Sequence, residues 1–116
     1  MPEGFSWEGL TLPELVPGTL EMLILKTLLG GAMHGYGIAQ RIQNASGDVL
    51  SVEEGSLYPA LQRLLRKGWV TAEWGVTGLN RRARFYTLTR DGRKQLGAEV
   101  EEFRRMMKAI ENVLGE

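Results

Sequence analysis

A regular apolar seam near the carboxyl end most constrains how this chain can fold. Its members follow one another at intervals of 4, 3, 4, 3 and 4 residues, and they are Leu96, Val100, Phe103, Met107, Ile110 and Leu114. This is the spacing of the a and d positions of a heptad repeat. Such a helix pairs most simply with a second copy of itself. The seam therefore predicts a dimerisation helix within residues 91–116, and packing inside one subunit is the alternative.

The length and composition indicate one small domain around this helix. The chain has 116 residues, 43% of them hydrophobic, and it contains no Cys, so we expect a single core and neither a disulfide framework nor a Cys-based zinc site. We expect no metal and no cofactor. The apolar run at residues 22–25 is far shorter than the roughly 18–20 residues of a membrane span. We therefore expect a cytoplasmic protein without a membrane partner.

The zero net charge conceals an uneven distribution of charged residues. Residues 41–94 carry ten Lys and Arg against five acids, whereas residues 1–40 carry one Lys against four Glu and residues 95–116 carry three cations against five acids. A basic segment between two acidic ones is typical of a module that binds a polyanion and has a separate assembly surface.

The first half of the chain predicts an arm and three helices. Residues 1–18 hold three of the four prolines, which indicates an irregular arm; its apolar residues should pack on the body or on a neighbouring subunit. A first helix over 19–29 has too many apolar positions for one stripe, and we expect Leu20 and Ile24 to contact a second copy. A second helix follows to about residue 45. A third runs to about residue 67; Ser51 is its expected N-cap, although Pro59 favours a start near Ser56.

A β-hairpin and the final helix complete the predicted order of elements. The segments 69–74 and 84–89 are rich in aromatic and β-branched residues, and the turn between them carries Arg81 and Arg82. Helix, helix, helix, hairpin, long helix is the order of a winged helix-turn-helix with a dimerisation helix. We therefore predict a mainly α fold with a β-hairpin wing, with the DNA-binding domain over 19–90. Side chains of the third helix that point away from its apolar face are predicted DNA contacts, namely Ser56, Tyr58, Gln62 and Arg63.

Several short motifs resemble one known family. In chain order they are His34-Gly35-Tyr36-Gly37-Ile38, Gly55-Ser56-Leu57-Tyr58-Pro59-Ala60-Leu61, Gly68-Trp69-Val70 and Arg82-Ala83-Arg84-Phe85-Tyr86-Thr87-Leu88-Thr89-Arg90-Asp91-Gly92. Together they resemble the PadR family of winged-helix transcriptional regulators, in the small type with a single carboxyl-terminal helix. The resemblance implies a homodimer that binds double-stranded DNA at a pseudo-palindromic operator and usually represses transcription. It also implies these DNA contacts: Tyr36, Ser56, Tyr58, Gln62, Arg81, Arg82 and Arg84.

Two departures from the family pattern bear on function. Many family wings have a Gly-Arg-Pro tip, whereas this chain has Thr-Gly-Leu-Asn-Arg-Arg at positions 77–82. Some small members stack planar ligands on a tryptophan of the last helix, which this chain lacks. If a small-molecule effector exists, Trp7, Phe103 and Met107 are candidate contacts, and packing is the favoured alternative for all three.

Two other functional classes remain to be weighed. An enzyme is disfavoured, because the chain has one histidine, His34, no Cys and no Gly-x-Ser-x-Gly motif, and no phosphate-binding glycine loop follows a predicted strand. A dimeric winged-helix protein that binds other proteins and no DNA is the second alternative. The salt dependence of DNA binding distinguishes it from a regulator.

Overall fold

The computed structural model describes residues 10–11 and 18–115. The elements in chain order are β1 (Leu10–Thr11), α1 (Thr19–Leu28), β2 (Met33–His34), α2 (Gly35–Ala45), β3 (Leu50–Ser51), α3 (Glu54–Arg66), β4 (Val70–Val76), β5 (Arg82–Leu88) and α4 (Arg90–Leu114). This is the mainly helical winged helix-turn-helix with a long last helix that the sequence predicts. None of the helices in these ranges is long and apolar enough to cross a membrane.

Helix α1 lies at the centre of the core. Its apolar residues are covered on several sides, because α2, α3, α4 and β5 of the same chain all pack against it. Leu20 and Ile24 are almost completely buried there, so the expectation that they contact a second copy is wrong. The excess of apolar positions on this helix is satisfied within one chain, since a central helix needs apolar residues all around.

Two small sheets flank the helices. In the larger one β5 lies between β2 and β4, and both pairings are antiparallel. The β4–β5 hairpin extends further toward its tip than predicted, so Arg82 lies in a strand and pairs with Val76. In the smaller sheet β1 pairs in parallel with β3. The amino-terminal arm thus contacts its own subunit at residues 10–11, directly beside the segment that leads into α3.

The start of α3 differs from the prediction by two residues. Ser51 lies in β3 opposite Thr11 and is not the N-cap; Glu53 holds that position without a side-chain cap. The backbone bond from the Leu57 N–H to the Glu53 carbonyl closes the first turn. Pro59 lies inside the helix, where it cannot donate the backbone hydrogen bond to the carbonyl of Gly55.

Helix α4 begins against the core and then leaves it. The hydroxyl of Thr89 accepts a hydrogen bond from the Gly92 N–H at 3.0 Å and donates one to the Gly68 carbonyl at 2.8 Å, which caps the helix on the end of α3. Leu96 is buried, so its predicted contact with a partner is also corrected. Val100 and Phe103 are partly buried against the core. From residue 104 to residue 115 every side chain is exposed.

Candidate nucleic-acid interface

The start of α2 is built from the motif at residues 34–37. His34 is the N-cap, and its Nδ1 accepts a hydrogen bond from the Gly37 N–H at 3.0 Å. The imidazole stacks on Tyr36 with 6.4 Å between ring centroids and meets Phe85 edge-on at 5.4 Å. His34 therefore caps the start of α2. Its packing helps to place the Tyr36 ring, which is 72% exposed, at the mouth of a cleft.

Glycine in this motif allows α2 and α3 to approach closely. A Cβ atom on Gly35 would lie only 2.9 Å from the hydroxyl oxygen of Tyr58, so any larger residue there would displace the tyrosine. Gln62 follows Tyr58 by four residues and therefore lies on the same side of α3. Both side chains are exposed and border the cleft. The close packing of the two helices thus fixes two polar groups of α3 at one surface.

The wing places its cations on aromatic rings. Trp74 pairs with Arg84 across the hairpin, and Ala72 pairs with Tyr86. The guanidinium of Arg82 lies 4.7 Å from the ring centroid of Trp74, and that of Arg84 lies 5.9 Å from the ring of Tyr86. Such contacts are stabilising by about 0.5–1 kcal/mol at exposed sites. They also restrict where these two long side chains point.

These parts enclose one cleft of about 1410 Å³ between α2, α3 and the wing. Its polar and aromatic lining residues are His34, Tyr36, Gln40, Arg41, Asn44, Tyr58, Gln62, Trp74, Thr77, Arg81, Arg82, Arg84 and Tyr86. Four of these are arginines, and none of the residues that line the cleft is Asp or Glu. Burial raises the pKa of the Tyr86 phenol, while the Arg84 guanidinium acts in the opposite direction and Tyr58 raises it further. The surface is therefore cationic, and it carries hydrogen-bonding side chains from α2, α3 and the wing.

Six of the eight predicted DNA contacts lie together in this cleft, and two do not. Arg63 forms a salt bridge with Glu21 of α1, and Ser56 is half-buried outside the cleft lining. The geometry of a helix explains both. A residue two positions from Tyr58 points about 200° away from it, and the residue after Gln62 is turned by about 100°. Arg63 therefore faces α1 rather than the wing.

Sequence reasoning missed a polar row on α2 and the exposure of one tryptophan. Gln40 and Asn44 follow Tyr36 at intervals of four residues, so they line the cleft beside it. This spacing next to the buried Ile38 and Ile42 could have predicted the row. The side chain of Trp74 is 61% exposed, and its ring lies against the guanidinium of Arg82.

Comparison with known proteins agrees with this geometry. Residues 24–98 match the family described as the transcriptional regulator PadR-like family. The chain is similar to the structure of a transcriptional regulator from Clostridium thermocellum, at 26% identity and a TM-score of 0.77, covering 85% of this chain and 96% of that one. It is also similar to a PadR family transcription regulator from Clostridium difficile, at 26% identity and a TM-score of 0.71, covering 82% and 97%.

A further relative is similar along most of the chain. An uncharacterised protein of Lysinibacillus sphaericus is 28% identical over 98 residues, which is 84% of this chain and 90% of the relative. Members of the matched family are typically not enzymes. The family match spans well over half of the sequence, and it includes the motif at residues 34–37, all of α3 and the complete wing. The chain belongs to the PadR-like family of transcriptional regulators.

Proposed function

We propose that this protein is a sequence-specific DNA-binding regulator that represses transcription as a cytoplasmic homodimer on a pseudo-palindromic operator. The observation that carries the proposal is the cleft, where four arginines and the polar side chains of α3 meet without a carboxylate. Cations that follow a phosphate backbone supply affinity, and groups that reach base edges supply specificity. The cleft offers both kinds of group on one surface.

The roles of the individual residues follow from their positions. Helix α3 is proposed to enter the major groove, which is about 12 Å wide and admits a helix. Gln62 can then donate and accept at one base edge, because its amide matches the N6 and N7 atoms of adenine. Tyr36 and Tyr58 would contact the backbone. Arg81 and Arg82 would follow the narrow minor groove, which attracts guanidinium groups.

The carboxyl-terminal half of α4 supplies the proposed dimer interface. Its exposed apolar side chains lie at helical spacing and include Met107, Ile110 and Leu114, the last 78% exposed. An apolar stripe of this kind on a helix that has left its own core is suited to a second copy. A two-fold pair of such helices would hold the two α3 helices about one turn of DNA, roughly 34 Å, apart.

Repression and its release follow from the same geometry. A dimer that occupies a promoter excludes polymerase. A small-molecule effector could release it only by binding more tightly to a dimer whose α3 spacing does not fit the operator. Phe103 and Met107 border the proposed dimer interface and are the proposed effector contacts. Trp7, the third candidate, lies outside the described residues.

The test combines hydrodynamics with selection of DNA. The purified protein is sedimented alone and with a random pool of short duplexes, and the retained DNA is sequenced. We expect a dimer that retains an inverted repeat, with an affinity that falls steeply with salt, at a log–log slope of about −0.9 for each neutralised phosphate. A dimer that retains no duplex even at low salt would instead indicate the protein-interaction module. A stable monomer would contradict the role given to α4.

A further inference from the structure

The tip of the wing is a tightly bonded turn. The Thr77 N–H donates to the Arg81 carbonyl at 2.8 Å, and the Asn80 N–H donates to the Thr77 carbonyl at 2.9 Å. The Thr77 hydroxyl also accepts from the N–H groups of Leu79 and Arg81, at 3.3 and 3.2 Å. Asn80 has a left-handed backbone with φ of 60°, which asparagine tolerates better than most residues. The turn therefore presents the side chain of Leu79 from a fixed backbone.

Leu79 is the most exposed large apolar side chain of the described residues, at 84%. It stands at the end of the hairpin, and its chain neighbourhood is strongly cationic. Residues 74–84 include three arginines, Arg81, Arg82 and Arg84, and no acidic residue. A single exposed leucine needs no explanation by itself. This leucine, however, lies on a rigid turn that is followed directly by arginines. The charge and the fixed backbone restrict the kinds of surface that it can contact.

Within the proposed function, we infer that Leu79 is an apolar wedge that enters the minor groove at the wing tip that also carries Arg81 and Arg82. The charge of the apex selects a polyanion, because an apolar protein surface would have to desolvate three arginines to reach the leucine. Apolar side chains inserted into the minor groove partly unstack a base step and bend the duplex. The affinity for an operator then depends on how easily the base step at the wing deforms, in addition to the bases that Gln62 contacts.

This wedge predicts a preference at positions that α3 does not touch. Pyrimidine–purine steps such as TA and CA deform easily, whereas A-tracts are stiff. Wild-type protein should therefore bind its selected operator more tightly when the wing position carries a TA or CA step than when it carries an A-tract. It should also shorten the distance between the two ends of the duplex.

The experiment compares Leu79→Ala and Leu79→Lys with wild type on these two kinds of duplex. Affinity is measured by fluorescence anisotropy, and bending by energy transfer between dyes at the duplex ends. Val76→Ala is the matched control, because Val76 is an exposed apolar residue of the same hairpin, at 63%, below the tip. All these sites are exposed, so the variants should fold, and circular dichroism verifies it.

We expect Leu79→Ala to lose about tenfold in affinity for the TA and CA duplexes and to bend them less, with little change on the A-tract or on random DNA. Leu79→Lys should lose the same preference, although it adds a positive charge, while Val76→Ala should behave as wild type. The wedge is overturned if Leu79→Ala matches wild type or weakens binding equally on every duplex. It is also overturned if the variant instead changes the sedimentation of the free protein. Wild type that retains no duplex would refute the proposed function itself.

Discussion

The wing and the distal half of α4 both expose large apolar side chains, but the charges around them differ. On the wing, Trp74 and Leu79 are exposed and border the cleft together with Arg81, Arg82 and Arg84, and no acid lines that cleft. On α4, Ile110 and Leu114 form a stripe whose neighbours include both Lys108 and Glu111. A surface of one sign fits a polyanion, whereas an apolar stripe between charges of both signs can face a copy of itself. Exposure alone therefore does not identify the partner; the surrounding charge does.

The two regions also differ in how the rest of the chain holds them. The wing is tied through β5 to β2 and hence to α2, and its tip has its own hydrogen bonds. The distal part of α4 has left the core, with all its side chains exposed from residue 104 to residue 115. The cleft is thus formed within one subunit, whereas the distal part of α4 is the proposed interface with a second copy. Both depend on the short junction where Thr89 caps α4.

Gly92→Ala should disturb both the wing and α4, and this is the largest effect we expect. A Cβ atom at this position would lie 2.0 Å from the carbonyl oxygen of Trp69, so the backbone of the junction would have to move. We expect a loss of about 3 kcal/mol in the free energy of unfolding, measured with urea, at the upper end of overpacking costs.

Gly97→Ala is the matched control for this substitution, because nothing lies within 4 Å of the Cβ atom it would add. It should stabilise the protein by about 0.5–1 kcal/mol, since alanine is the better helix former. Equal stability changes for the two variants would contradict the close packing at the junction.

Ile110→Glu should separate the two regions by removing the dimer and leaving the wing intact. In the dimer, each subunit would bury a carboxylate in the apolar stripe without a cationic partner. We expect the dimer dissociation constant, measured by sedimentation equilibrium, to rise about 100-fold or more, with little change in monomer stability because Ile110 is exposed in the single chain. Lys108→Gln, outside the seam and with the same change in charge, should leave the dimer intact. An intact dimer in Ile110→Glu would place the interface elsewhere, and a monomer from both variants would mean that the change in charge, rather than the apolar seam, controls the dimer.

The sequence predicted the order of the four helices and the hairpin and most of the cleft, but not the short strands β1, β2 and β3. Residues such as Tyr58 and Gln62 were recognisable because they break the apolar period of α3, and the wing arginines because they lie between two strands. The errors share a cause. Burial of Leu20, Ile24 and Leu96 depends on how many elements surround α1, which no local spacing reveals. Likewise, only the packing of α1 on α3 shows that Glu21 lies within reach of Arg63.

The limits of α3 show a second kind of error. A Ser followed by Glu residues satisfied a capping pattern, yet Ser51 is used in a parallel pairing with the arm. Each residue of β1 pairs with a residue of β3 that lies 40 positions further along the chain, and a local pattern cannot reveal a pairing over that distance. The pairing of β1 with β3 therefore decides the role of Ser51, although the local sequence satisfies a capping pattern.

Within the cleft, Arg82→Ala should lower the affinity for DNA in general, whereas Gln62→Ala should lower the specificity for particular bases. Arg82→Ala should weaken binding to all duplexes by a similar factor and reduce the salt slope by about 1, because one phosphate contact is lost. Gln62→Ala should cost about 1–3 kcal/mol only where particular bases are present. Anisotropy titrations against single-base operator variants measure both. Arg63→Ala is the control, because Arg63 pairs with Glu21, and it should change neither affinity nor base preference. If both cleft variants weaken binding equally on every duplex, Gln62 does not contact bases.

The smallest effect concerns Tyr86, at the base of the wing beneath Arg84. Burial raises the pKa of this phenol above its ordinary value of 10.0 in the folded chain, so folding favours the neutral form. Stability should therefore be unaffected by this group below pH 10.0 and should decrease as the pH rises past that value. Tyr86→Phe removes the ionisable group, and its free energy of unfolding should decline less steeply there. Parallel curves for the two proteins would mean that water reaches the phenol and that the base of the wing is less closed than its packing indicates.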